Sequence, residues 1–205
     1  MDLRDQVIKD FGKQWLRYTD NSGYYGSTEI LRQLVSPVMD LSEVNGKKVC
    51  EIGSGTGRIV NMLLDLGARE VVAVEPSASM DVLRSNATDS DRVTFLQIPG
   101  EELPALGDLD YIFSIGVLHH IPDPTPVVEA VLAGLRPGGR FLVWVYGKEG
   151  NEFYLKMVNL LRMVSSRIPY WMLAVTVWIF YPSLIVYLGL CYFLPLPMRE
   201  YMLNH

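Results

Sequence analysis

The stretch CEIGSGTGR, from Cys50 to Arg58, places a glycine at every second position and is the clearest sign of chemistry in the chain. Glycines with this spacing let a ligand approach the backbone, and they also serve tight turns. A phosphate, a nucleotide of another kind and turn geometry alone all fit the pattern. The dinucleotide fingerprint Gly-x-Gly-x-x-Gly would need a third glycine at Arg58, whereas the chain has it one residue earlier, at Gly57.

A carboxylate at the end of the second predicted strand narrows these choices. Glu75 follows Gly53 by 22 residues, at the distance where an acidic side chain accepts hydrogen bonds from the hydroxyls of a ribose. The glycine loop, strand, helix, strand and terminal acid occur in register. Together they predict a ligand that is a nucleoside with a ribose, and they do not require phosphates.

The adjacent His119 and His120 have two readings. His120 could act as a general base that removes a proton from a hydroxyl acceptor. In the alternative, the pair satisfies backbone groups of the loop before Pro122. Adjacent histidines diverge on a helix or strand and no carboxylate pair accompanies them, so we predict no metal site.

Strands and helices alternate along the first 146 residues. We predict helices at 2–16, 28–40, 57–67, 77–87 and 124–135, and strands at 47–52, 70–75, 92–98, 109–115 and 139–146. Apolar strands without clear alternation, separated by helices, indicate a parallel sheet that is covered on both faces. The predicted fold is therefore α/β, a doubly wound and mostly parallel sheet, with its ligand at the carboxyl ends of the strands.

Five segments in this order resemble the class I S-adenosylmethionine-dependent methyltransferases, which have a Rossmann-like fold. They are EIGSGTG (51–57), VVAVEPSASM (71–80), GEELP (100–104), DYIFSIGVLHHIPDP (110–124) and LRPGGRFLV (135–143). The resemblance covers about half of the chain and implies S-adenosylmethionine as the cofactor. The cofactor-binding residues that it implies are Glu51, Gly53, Ser54, Gly55, Gly57, Glu75, Pro76, Met80, Glu101 and Ile115.

The resemblance also implies roles for individual residues. The glycine loop would admit the amino-acid end of the cofactor, Glu75 would hold the ribose, and Met80 would pack near the adenine. Glu101 is the nearest substitute for an acidic residue that reaches the adenine amino group in the family. Ile115, after the fourth strand, would lie beside the reacting methyl group. The family carries varied pairs at the position of His120, which favours the structural reading of that histidine.

The charge and the cysteine content of the chain indicate which partners and which cellular compartment to expect. The net charge of −5 and the pI of about 5.2 argue against a broad nucleic-acid surface, so we expect no nucleic-acid partner. Cys50 and Cys191 lie far apart, which favours two reduced core thiols in a cytoplasmic compartment over a disulfide. The polar, amphipathic start of the chain is not typical of a secretory signal.

The chain divides into three predicted segments: a helical and aromatic segment (1–40), a cofactor-binding domain (41–150) and a hydrophobic helical segment (151–205). In the first, Trp15, Tyr18, Tyr24 and Tyr25 form either a lid over the cofactor, with an aromatic face toward the sulfonium, or an ordinary packed helix. In the last, no clear antiparallel hairpin completes the sheet. A sheet that lacks its final strands is therefore an alternative, and it would leave an unpaired edge.

The last segment lacks formal charge from Ile168 to Met198, which is longer than the roughly 20 residues that span a bilayer. Pro182 divides it. Membrane association through residues 168–198 is the leading prediction, as a kinked spanning helix or a re-entrant helical hairpin. A lid over a greasy pocket, a dimer contact, and a strand hairpin through 175–181 and 183–188 are the alternatives.

These observations favour a cytoplasmic, membrane-associated methyltransferase that acts on a small-molecule or lipid-linked acceptor. A non-catalytic, membrane-tethered cofactor-binding module is the second hypothesis, and a nicotinamide-dependent oxidoreductase is the third. Oxygen, nitrogen and carbon acceptors are all served by such a fold, and the sequence gives no indication of the oligomeric state.

Overall fold

The computed structural model describes residues 3–36, 38–147, 152–165, 167–196 and 199. The chain forms two compact units, Met1–Tyr146 and Gly147–His205. The helices of the first unit are α1 (Leu3–Arg17), α2 (Thr28–Val35), α3 (Arg58–Asp65), α4 (Met80–Asn86) and α5 (Thr125–Gly134). Its strands are β1 (Lys48–Ile52), β2 (Glu70–Val74), β3 (Val93–Leu96), β4 (Leu109–Ile115) and β5 (Leu135–Trp144).

The five strands form one parallel sheet in the order β3-β2-β1-β4-β5. The order reverses at β1, between its neighbours β2 and β4. In sheets of this kind, ligands bind outside the carboxyl end of the strand where the order reverses. The predicted doubly wound α/β fold is confirmed, and the glycine loop that follows β1 lies at the reversal.

Helices cover both faces of the sheet, which explains why its strands are apolar throughout. Consecutive side chains of a strand point to opposite faces, and Val71 and Val72 of β2 accordingly belong to two different buried clusters. Val71 packs in the cluster that contains Leu63 of α3. Val72 packs in the cluster that contains Val131 of α5. The sheet therefore has a core on each side.

Two element boundaries differ from the prediction by four residues or more. The second helix ends at Val35 and not at residue 40, because Pro37 has no backbone N–H to continue the helical ladder. The last strand is predicted to begin at residue 139, whereas β5 begins at Leu135 and includes Arg136-Pro137-Gly138-Gly139. There Leu109 pairs with Leu135 and Tyr111 with Arg140, so β5 accommodates extra residues in a local irregularity.

The second unit contains two helices, α6 (Glu152–Ser165) and α7 (Tyr170–Phe193). Helix α7 continues through Pro182, so neither a strand hairpin nor a turn divides the segment there. Proline removes one helical hydrogen bond and is tolerated in long apolar helices. Within the unit, Arg199 donates a hydrogen bond to the carbonyl of Cys191 at 2.6 Å, and the Cys191 side chain is buried.

Candidate functional site

The loop after β1 has a backbone that only small residues allow. Gly53 has φ of +78° and Gly55 has φ of +53°, a left-handed region in which side chains are strained. A Cβ atom on Gly53 would lie 2.5 Å from a methyl group of Val117. A Cβ atom on Gly55 would lie 3.3 Å from the indole nitrogen of Trp15. The alternating glycines therefore serve both the turn and the close approach of neighbouring groups.

The Glu75 carboxylate lies against this loop at the end of β2. Its Oε2 accepts a hydrogen bond from the backbone N–H of Gly55 at 2.8 Å, and its Oε1 accepts one from the N–H of Ser77 at 3.0 Å. The residue is 5% exposed. Each carboxylate oxygen has further acceptor capacity, so these bonds orient Glu75 and leave it able to accept from ribose hydroxyls.

A second carboxylate, that of Glu51, is deeply buried at the base of the pocket. It is 3% exposed, and its Oε2 has no hydrogen-bond partner among the described residues. Burial raises the pKa of Glu51 to about 8; the positive charge of Arg58 opposes this rise, and the negative charge of Glu75 adds to it. A buried acceptor without a partner is costly to maintain. The site therefore fits a ligand that brings a donor or a positive charge, as the methionine end of S-adenosylmethionine does.

Helix α1 covers the pocket. Trp15 lies over Gly55, and the ring of Phe11 lies 4.6 Å from that of His120. At the start of the helix, the Arg4 guanidinium pairs with the Glu101 carboxylate at 2.5 Å. The helix thus contacts the glycine loop, the turn after β4 and the loop after β3, and it has the position of a lid.

These elements enclose one pocket at the carboxyl ends of β1, β2 and β4. Eight of the ten predicted cofactor residues line it: Glu51, Gly53, Ser54, Gly55, Glu75, Pro76, Glu101 and Ile115. The other two do not. Gly57 begins α3 with φ of +85° and lies against Leu83. Met80 is completely buried in the core and is not among the residues that line the pocket; its position near the adenine stays a prediction.

The aromatic residues before the sheet separate into two groups. Trp15 and Tyr25 line the pocket. Tyr24 donates a hydrogen bond to the Gln33 side chain of α2 at 2.9 Å instead, and Tyr18 is exposed. Of the four residues predicted to form the aromatic group, two are therefore positioned to contact a ligand.

His120 also lines the pocket, in a short 3-10 turn (Leu118–His120) after β4. Its ring lies 4.0 Å from that of His119. Burial lowers the pKa of His119. Among the residues described by the structure, no group of three or more His, Cys, Asp or Glu side chains could hold a metal ion.

Some residues that line the pocket are not among the site residues predicted from the sequence. Arg4, Val7 and Ile8 reach it from α1, and Arg58 reaches it from α3. No local signal in the sequence shows which loops α1 contacts. The pairing of Arg4 with Glu101 joins residues almost a hundred positions apart, and only the fold reveals it.

Comparison with known proteins agrees with the geometry. Residues 50–143 match a family described as a methyltransferase domain. A structure of a 1,6-didemethyltoxoflavin-N1-methyltransferase from Burkholderia thailandensis, with bound S-adenosylhomocysteine, superposes with a TM-score of 0.52 at 26% identity, over 72% of this chain and 63% of that one. A Pyrococcus horikoshii protein superposes with a TM-score of 0.56 at 23% identity, over 68% of this chain and 66% of that one, and shows the same fold.

The α/β unit therefore has the fold of the class I S-adenosylmethionine-dependent methyltransferases, and its residues 50–143 match a methyltransferase domain. Both findings support S-adenosylmethionine as its cofactor. Among curated proteins, a tRNA U34 carboxymethyltransferase of Shewanella halifaxensis is 28% identical over 146 residues, which are 62% of this chain and 44% of that protein. The chain thus spans less than half the length of this relative.

The prediction of no nucleic-acid partner is wrong, because several relatives that match more than half of this chain have names that specify a tRNA substrate. Net charge is an average over the whole chain and hides local patterns. Lys9, Lys13 and Arg17 recur at four-residue spacing on α1, and all three are exposed. This basic stripe lies on the helix that covers the pocket, and we call it the α1 stripe.

Proposed function

We propose that the chain transfers a methyl group from S-adenosylmethionine to a small or lipid-like acceptor at the cytoplasmic surface of a membrane, with α7 as the membrane anchor. The observation that carries the proposal is α7 itself. Its span Trp171–Phe193 is 23 residues long, and the most apolar stretch within it has a mean hydropathy of 1.9 and is not buried.

The length and the composition of α7 both support a spanning helix. At ~1.5 Å per residue, its 24 residues extend about 36 Å, which exceeds the roughly 30 Å hydrocarbon core of a bilayer. Apolar side chains lie on every side of it: Trp178 is 78% exposed and Phe193 86% exposed. A helix that docks on one protein surface needs a single apolar stripe, whereas a lipid environment suits apolarity all round.

Basic residues flank α7 unequally, which supports the orientation. Lys156, Arg162 and Arg167 lie shortly before the helix, and Arg199 lies shortly after it. Cytoplasmic flanks of membrane helices carry an excess of Lys and Arg. We therefore infer that the methyltransferase unit lies on the cytoplasmic side.

The pocket wall supports an apolar acceptor. Several apolar side chains line it besides Ile115: Val7 and Ile8 from α1, with Val117 and Ile121 from the loop after β4. Such a wall binds a greasy group by excluding water. His120 lies on the same wall and would take the proton of a hydroxyl acceptor.

Little covalent chemistry is left for the protein. The cofactor supplies a methyl group that is already activated on a sulfonium. The side chains of the pocket bind and orient the reactants and exclude water, and alignment of this kind contributes up to roughly 7–11 kcal/mol of barrier reduction. The residues that hold the cofactor therefore matter most for the rate.

An RNA acceptor is the second candidate, and the names of the curated relatives favour it. The α1 stripe is consistent with this acceptor, since exposed Lys and Arg contact phosphates. Helix α1 as a whole has four basic residues (Arg4, Lys9, Lys13, Arg17) against Asp5 and Asp10, a balance of +2. This local charge opposes the acidic average of the chain.

Labelled methyl transfer separates the two acceptors. Cell membranes and total RNA are incubated with the full chain and methyl-labelled S-adenosylmethionine, and label is counted in lipid extract and RNA. The Val177→Arg/Leu184→Arg variant disrupts α7, and Lys9→Gln/Lys13→Gln disrupts the α1 stripe; each is the control for the other. We expect the parent chain and the α1 variant to label the lipid extract, and the α7 variant to fail to label it. Label in RNA that only the α1 variant loses supports the second candidate.

Two further outcomes contradict the proposal. If the chain binds S-adenosylhomocysteine but labels neither fraction, the lipid-like acceptor and the RNA acceptor are both refuted, and the non-catalytic binding module is favoured. Membrane association is tested by carbonate extraction, in which we expect the parent to stay in the pellet and the α7 variant to move to the supernatant. A parent chain that remains monomeric in the supernatant without detergent refutes the anchor.

A further inference from the structure

The loop between α1 and α2 is bonded directly to the cofactor loop. The Asn21 amide donates to the backbone carbonyl of Thr56 at 2.9 Å, and the Thr56 hydroxyl donates to the Asn21 side-chain oxygen at 2.7 Å. Asn86 of α4 donates to the same Thr56 carbonyl at 3.0 Å and to the carbonyl of Thr19 at 2.8 Å. The start of this loop is therefore fixed by a reciprocal pair and a bridging amide.

On the far side of the same loop, the Arg58 side chain contacts Tyr25, next to Tyr24, which is hydrogen-bonded to Gln33 of α2. The Arg58 Nη1 donates a hydrogen bond to the backbone carbonyl of Tyr25 at 3.1 Å. The guanidinium also lies over the Tyr25 ring, 4.1 Å from its centroid. Tyr25 lines the pocket while 49% of it remains exposed, so solvent can replace its contacts and burial alone does not fix its position.

We propose that Arg58 is a positioning residue that clamps Tyr25 against the pocket and thereby slows the release of the cofactor. We call the Arg58–Tyr25 pair the clamp. This proposal depends only on the assignment of the cofactor site. It does not depend on which acceptor is methylated.

Arg58 lies at a position where a positive charge is unfavourable, which indicates that the guanidinium has a specific role. It is the first residue of α3, and the N-terminus of a helix disfavours a positive side chain because of the helix dipole. A guanidinium can stack on a ring and donate from its edge at the same time, whereas a lysine ammonium lacks the planar face. The clamp uses both properties on one residue, the ring and the carbonyl of Tyr25.

Release of the cofactor requires this wall to move. Trp15 and Tyr25 both line the pocket, one from α1 and one from the loop that follows it. Asn21, between them in the sequence, is tied to Thr56. Tyr24 is hydrogen-bonded to α2, so opening of the clamp releases the Tyr25 side chain from the pocket wall while the backbone on either side stays in place. Weakening the clamp should speed dissociation more than it changes association.

The test measures the dissociation rate of S-adenosylhomocysteine from the full chain in detergent by surface plasmon resonance. Arg58→Met and Tyr25→Leu remove either half of the clamp, and Tyr25→Leu keeps the charge of Arg58 near Glu51. We expect each to raise the dissociation rate about tenfold, or about 1.4 kcal/mol, with the association rate within about twofold. The double variant should be no faster than the single ones, because both remove the same contact.

Arg84→Met is the matched control. Arg84 lies over Phe95 at 5.7 Å, and neither residue lines the pocket, so its dissociation rate should stay within about twofold of the parent. Arg58→Lys keeps the charge without the planar fork and should fall between the parent and Arg58→Met. The melting temperature of each ligand-free variant verifies folding.

Unchanged dissociation rates in both Arg58→Met and Tyr25→Leu refute the clamp, as does a double variant whose effect is the sum of the two. A parent chain that does not bind S-adenosylhomocysteine instead contradicts the cofactor assignment. The two failures are thus distinguishable.

Discussion

Replacing Glu75 with glutamine should weaken the cofactor site and the fold together. The carboxylate accepts backbone hydrogen bonds from Gly55 at 2.8 Å and Ser77 at 3.0 Å. Glutamine has nearly the same shape, but its single side-chain oxygen can accept from one of these N–H groups only. The amide nitrogen must then face the other N–H, donor against donor, or turn away and leave that N–H without a partner.

The magnitude follows from the bonds that are lost. A hydrogen bond to a charged group contributes about 1.5–3 kcal/mol, and a buried N–H without a partner costs about 1–3 kcal/mol. We therefore expect Glu75→Gln to lower the free energy of unfolding by about 1–3 kcal/mol. Loss of the charged acceptor for the ribose should weaken S-adenosylhomocysteine binding at least about tenfold. Urea unfolding and calorimetric titration of the full chain measure the two effects.

The control is Glu70→Gln, at the opposite end of the same strand. Glu70 pairs with Lys48 at 3.4 Å, and it does not line the pocket. A partly exposed pair of this kind contributes about 0–1 kcal/mol, so cofactor binding should not change. If Glu75→Gln binds S-adenosylhomocysteine as tightly as the parent and the Glu70 variant do, the ribose role of Glu75 is wrong.

Three further substitutions test the rest of the pocket. Gly55→Val should weaken S-adenosylhomocysteine binding at least about tenfold, because its Cβ would lie 3.3 Å from Trp15; Gly46→Val has similar backbone strain in open space and should bind normally. His120→Asn should reduce methyl transfer by about 100-fold or more at unchanged cofactor affinity, and full turnover would exclude it as the base. For Glu51, burial raises the pKa from 4.5 to about 8, so the folded chain keeps a proton that the unfolded chain releases. The free energy of unfolding should therefore fall as pH rises through this window, and Glu51→Gln should remove that slope; an unchanged slope would assign it to another group.

Local sequence patterns were sufficient to predict the parallel sheet and the glycine loop after β1. Strands β1, β2 and β4 are short apolar runs between turn residues, and their burial on both faces is what such runs indicate. Glu75 could be placed because the end of a strand and the turn of a neighbouring strand meet at the same edge of a parallel sheet. The register of β1 with β2 does bring it to Gly55.

Contacts between distant segments could not be predicted in the same way. Nothing local to Arg4 indicates that it pairs with Glu101, and nothing local to Arg58 indicates that it stacks on Tyr25. Met80 was placed by family resemblance, and its side chain lies in the core. These contacts depend on how the helices, strands and loops pack against one another. The sequence pattern predicts only which face of each element is buried.

The start of β5 was misjudged for another reason, and the continuity of α7 agrees with the spanning helix, one of the two forms of membrane association predicted for its segment. Glycine and proline usually interrupt an element, yet Gly139 allows β5 to approach Leu109, whose carbonyl would lie 2.8 Å from an added Cβ. Pro182 lies within α7 without ending it. In both places the surrounding structure outweighs the local preference of the residue.

Calorimetric titration of the full chain in detergent with S-adenosylhomocysteine and with NAD tests the central claim most directly. The account predicts that one S-adenosylhomocysteine binds per chain and that Glu75→Gln weakens it, while NAD gives no saturable heat. Binding of NAD in preference to S-adenosylhomocysteine, or no binding of S-adenosylhomocysteine to a folded chain, would contradict the assignment of the pocket.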